Sequence, residues 1–132
     1  MLRSIGAIAA GVVVWAVLWL TGSAIITASL TDGIVEGAPI TDAGLLSILL
    51  GLSVLISLIA GWTTSILAPR AVFVHTFILA ILQLAQGVFV QAQYWNLMPL
   101  GYHVTFLGLL VPMILLGGRI RAPSTAPAPQ LA

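Results

Sequence analysis

The chain has no cysteine and no lysine, and charge of either sign is scarce, with four arginines against three acidic residues in 132. Without thiols there is no disulfide, thiolate metal site or cysteine nucleophile. Without lysine there is no Schiff-base chemistry. Nucleic-acid binding needs dense basic clusters, and a net charge of +1 drawn from so few groups offers none. The acids Asp32, Glu36 and Asp42 sit close together, so every long apolar stretch is free of carboxylates. Their spacing lacks the calcium-loop pattern and reads as a solvated connection. No serine occupies a nucleophile elbow or lies beside a base, so the reading is non-enzymatic, with no catalytic residue and no metal site.

What fills the chain is apolar: 61% hydrophobic residues and a mean hydropathy of +1.20, far outside the range of a soluble domain. Spans of about 20 residues leave room for four helices and short loops. The sequence places them at about 2–30, 43–67, 71–93 and 99–118, with a Pro- and Ala-rich tail at 122–132. The fold expected is therefore all-α, a four-helix antiparallel transmembrane bundle over residues 1–121. The first span starts on Arg3 as a signal peptide does, but it outlasts an h-region of about 7 to 15 residues and reads as a retained anchor. Thr21, Gly22 and Ser23 are its expected weak point. Thr41 or Asp42 is positioned to cap the second helix, and Pro69 stops it. Arg3, Arg70, Arg119 and Arg121 fall on one side and all three acids on the other. The positive-inside rule then puts both termini in the cytoplasm.

Two stripes stand out within the spans. Ser53, Ser57, Gly61 and Ser65 recur every four residues on helix two, and Ala7 and Gly11 do so on helix one. Small residues at that spacing let backbones approach, the usual basis of helix association in lipid. On helix three, His75, Gln86 and Gln93 project within about 20° of each other, with Gln83 on the flank and Gln91 opposite. Amides facing lipid lack partners, so this polar stripe is expected to face other helices or a cavity. Trp15 and Trp19 share one face of helix one at i, i+4. Pro112 leaves the Gly108 carbonyl without its helical donor and bends helix four.

His75 and His103 are the cofactor-binding candidates, as the sole imidazoles. They lie near opposite membrane faces, about 20 Å apart in depth, so they do not form a bis-histidine haem pair. A methionine partner would be Met113 for His75 or Met98 for His103. Either histidine alone suffices as the axial ligand of a chlorophyll or bacteriochlorophyll magnesium, but no cofactor is required by the sequence.

Gly61-Trp62, Ala68-Pro69-Arg70, Tyr102-His103 and Gly117-Gly118-Arg119 give the chain a resemblance to the small four-span proteins of bacterial inner membranes. That resemblance implies a multi-pass inner-membrane location and no particular activity. In span number and length the chain also resembles the small multidrug resistance proteins, whose coupling glutamate lies in the first helix. Residues 11–20 here hold Trp15 and Trp19 but no acid. The function expected is a non-catalytic accessory subunit among larger integral membrane subunits, in a photosynthetic or respiratory energy-converting complex, with lipid, quinone or pigment as neighbours. The alternatives are a homo-oligomeric transporter or channel built on Gln83, Gln86 and Gln93, and pigment or haem binding at His75 or His103.

Overall fold

The computed structural model describes residues 1–31, 35 and 37–120. Asp32, Glu36, Arg121 and the Pro/Ala-rich tail at 122–132 lie outside the described residues. The described residues form four α-helices: α1 (Leu2–Leu30), α2 (Ala43–Leu67), α3 (Val72–Gln93) and α4 (Leu100–Ile120). Each is long and apolar enough to cross a membrane.

Their ends follow from local chemistry. The Asp42 carboxylate accepts the Leu45 N–H at 2.6 Å and so caps α2. Ala68, before Pro69, turns out of the helix into extended backbone. Ala71, at φ 45°, takes the left-handed conformation that reverses the chain into α3. At the other end of the bundle the Ile40 N–H donates to the Leu97 carbonyl at 2.7 Å, tying the connection before α2 to the one before α4. The expected weak point at Thr21–Ser23 does not break α1, which runs unbroken to Leu30. Its hydroxyls return to the helix's own carbonyls, Ser23 to Leu20 at 3.4 Å and Thr27 to Ser23 at 2.8 Å. Those two hydroxyls are thereby satisfied without breaking the helix.

The helices meet through two different kinds of contact. Gly61 of α2 and Gly117 of α4 have their backbones in mutual contact: a Cβ on Gly61 would fall on the Ile114 carbonyl, and one on Gly117 on the Leu58 carbonyl. Gly118 lies against Thr76 of α3, and Gly11 of α1 against Thr64 and Leu79. Ser53, Ser57, Gly61 and Ser65 are all buried, as are Ala7 and Gly11, and the Thr64 hydroxyl donates to the Ala7 carbonyl at 3.2 Å. Small residues thus bring the backbones together, as lipid-phase packing favours. Toward the other end large side chains separate the helices. Trp15 stacks on Trp19 at 5.6 Å, and Phe106 of α4 meets both rings edge-on, at 6.4 and 5.2 Å. Partners on α1 and α2 run in opposite order, Ala7 with Thr64, Trp15 with Ser57 and Gly22 with Leu52.

Candidate functional site

The change from small to large residues along α1 creates a cavity. α1 and α3 touch where Gly11 meets Leu79. Four residues on, the indole of Trp15 occupies the interior, only 1% exposed, with its N–H donated to the Ser57 hydroxyl at 3.2 Å. Beyond that wedge the two helices stand apart around a cavity of about 410 Å³. Trp15, Trp19, Leu20, Ser23 and Thr27 form its α1 wall, and Gln86, Val90, Gln91 and Tyr94 its α3 wall. Leu45, Leu49 and Tyr102 form the back, and Ile40 and Met98 close the end beside the main-chain bond between the two connections. The volume is within the usual range for a small-molecule site. Among the described residues, no charged residue and no histidine lines it.

Its polar groups differ in how they are satisfied. The Ser23 and Thr27 hydroxyls are bonded to α1 carbonyls. The Gln91 Oε1 receives the His103 Nδ1 at 2.5 Å. Gln86 is half-buried, and its side-chain amide makes no hydrogen bond to another described residue. It lies seven residues before the α3 end at Gln93, about 10 Å below that end at 1.5 Å per residue. At that depth an amide is matched by protein, by a cavity water or by a ligand.

Behind the cavity is a second polar cluster. His103 is fully buried, stacked under Trp95 at 4.8 Å, with Tyr102 edge-on at 6.1 Å. With an amide oxygen facing it, Nδ1 carries the proton, and Nε2 is an acceptor enclosed without a partner. The packing encloses Nε2 on every side, so it presents no open face to a planar macrocycle. His75 lies one turn into α3, half-buried, its Nδ1 3.1 Å from the Ala71 carbonyl. Gln91, which contacts His103, is 16 residues further along, about 24 Å of helix, so the two imidazoles are far apart. Met98 lines the cavity and Met113 is half-buried on α4.

The orientation of α3 corrects the expectation for its polar stripe. Gln91, expected to point away from the bundle, is buried at 3%, and Gln93, expected to face inward, is exposed. The buried face runs through Thr76, Leu79, Ala80, Gln83, Gly87 and Gln91, centred about 100° from the His75 direction. Gly87 and Ala80 decide this, because a helix turns its smallest residues to its neighbour. A Cβ on Gly87 would already meet Leu110 at 2.8 Å. Gln83, Gln86 and Gln93 therefore share no path: Gln83 is enclosed with both amide atoms unpartnered, Gln86 lines the cavity and Gln93 faces outward. Gln93 relies instead on a 3.5 Å contact to the Phe89 carbonyl of its own helix. Among the described residues no three His, Asp or Glu side chains gather as a metal site would require.

The sequence reading missed Gln91 as a buried partner of His103 and missed Tyr102 as a cavity wall. The dipeptide Tyr102-His103, one aromatic and one imidazole just inside a span, was the available signal. In comparisons with known proteins, the chain matches no family model, no curated protein and no solved structure.

Proposed function

We propose that this chain is a non-catalytic accessory subunit of a larger membrane complex, docked to an unlike subunit through the outer face of α4. The observation that supports this is a row of small residues there that no described residue covers. Gly101, Thr105, Gly108 and Pro112 are all exposed and fall within about 60° of one another. Nothing lies within 4 Å of a Cβ placed on Gly101 or Gly108. Pro112 has no N–H for the Gly108 carbonyl, so an acceptor deprived of its usual helical donor lies within the row. The buried small-residue rows of α2 and α1 are consumed by packing within the chain, whereas this one awaits a partner helix.

In this reading the helices form an antiparallel bundle in a bacterial inner membrane with both termini cytoplasmic, as the placement of the arginines supports. A reporter fused at Ala132 is then active only on the cytoplasmic side. Gentle extraction from the native membrane, followed by mass spectrometry and an absorption spectrum, recovers the chain with larger subunits and tests for the pigment or quinone of an energy-converting complex. Gly108→Leu abolishes that association while Gly6→Leu, on an open face of α1, preserves it. Recovery of a homodimer insensitive to Gly108→Leu defeats the proposal.

A further inference from the structure

We infer that the cavity between α1 and α3 binds a neutral lipid-soluble molecule with a flat, carbonyl-bearing head, of the quinone class. Three observations carry this. First, none of the described residues in the lining is charged, so a phosphate or ammonium head would find no compensating side chain among them. Second, Gln86 offers an amide donor with no partner among the described residues, about 10 Å below the α3 end. Phospholipid ester carbonyls stay at the interface, so a carbonyl that reaches Gln86 belongs to a molecule that moves within the hydrocarbon. Third, the α1 wall carries the stacked Trp15 and Trp19 pair, and Tyr94 and Tyr102 add two more rings to the lining. Flat aromatic faces suit a flat ring better than a flexible chain. A volume of about 410 Å³ accommodates such a head with the first part of its tail, and the tail leaves between the diverging helices into lipid.

The inference is independent of the α4 docking face and is tested on the full chain in phosphatidylcholine nanodiscs. Decylubiquinone is titrated in and its binding followed by quenching of tryptophan fluorescence. Saturable quenching is expected, with the half-saturation point raised about tenfold by Gln86→Leu, the equivalent of one hydrogen bond. Ala24→Phe, which places a ring in the cavity from the exposed side of α1, abolishes the saturable phase. Decylbenzene, the same tail on a ring without carbonyls, is expected to compete at least tenfold more weakly. Equal competition by decylbenzene overturns the assignment of a carbonyl-bearing head and leaves an acyl-chain groove. Quenching linear in quinone and unchanged in both variants shows partition into lipid alone and overturns the site. Both variants are checked for unchanged helical content and thermal midpoint.

Discussion

The two halves of this bundle are built from the same four helices by opposite means. In the half holding Gly11, Gly61, Gly117 and Gly118, backbones touch, and the space a side chain would fill is taken by another helix. In the half holding Trp15, Trp19, Tyr102 and Phe106, rings hold the helices apart. In lipid, burial of apolar surface drives little, so closeness comes from fit. A short run of small residues followed by indoles on one helix is enough to produce a closed half and an open half. The difference shows how a bundle with no Asp, Glu or Arg among its described buried residues can still hold a cavity: the glycine contacts anchor one end while the tryptophans pry apart the other.

The comparison breaks most severely at its closed end. Gly61→Val places a branched side chain where the Ile114 carbonyl lies, and since backbone has nowhere to yield, we expect a loss of 3 kcal/mol or more, about the upper range for overpacking. Thermal unfolding in detergent should show a greatly lowered midpoint. An unchanged midpoint would mean that α2 and α4 are not in backbone contact. Next comes Gln91→Leu, which strips His103 of its ring-nitrogen acceptor and leaves both imidazole nitrogens bare in a buried site. A cost of about 1–3 kcal/mol follows, measurable by the same unfolding. Ser57→Ala removes the acceptor of the Trp15 N–H at a cost of about 0.6–2 kcal/mol, and a changed Trp15 emission should accompany it. Gln83→Leu sharpens the comparison in the other direction. Its two amide atoms have no partner, so the apolar replacement should leave stability equal or higher by about 1 kcal/mol. Gly6→Ala, with open space around it, should shift stability by less than about 0.5 kcal/mol.

Much of the fold could be read from composition and periodicity, because a lipid solvent requires long apolar helices and little else. The four apolar spans, the Asp42 cap and the burial of the Ser53-to-Ser65 stripe belong to that part. The rotation of α3 does not. Its amides occupy several faces, and polarity alone favours the His75, Gln86 and Gln93 side. The fit of Gly87 against Leu110 favours another, and steric fit depends on the neighbouring helix. The site was legible in pieces: Trp15, Trp19 and Gln86 were apparent on their own helices. Gln91 and His103 are 12 residues apart across a turn, a separation to which no helical period corresponds. The cavity is the least legible of all, since it is a space between walls that the sequence describes one at a time.

The bond from the Ile40 N–H to the Leu97 carbonyl has a kinetic meaning as well as a structural one. It fastens the two connections across the end of the cavity where Ile40 and Met98 sit, while the α1 and α3 walls border its side. A lipid-soluble occupant of the kind proposed would arrive between α1 and α3, by diffusion in the plane of the bilayer. Its occupancy is then governed by mole fraction in the membrane rather than by aqueous concentration, and exchange slows as the lipid becomes more ordered. Added to water, a ligand reaches this protein only as fast as it first dissolves in the membrane.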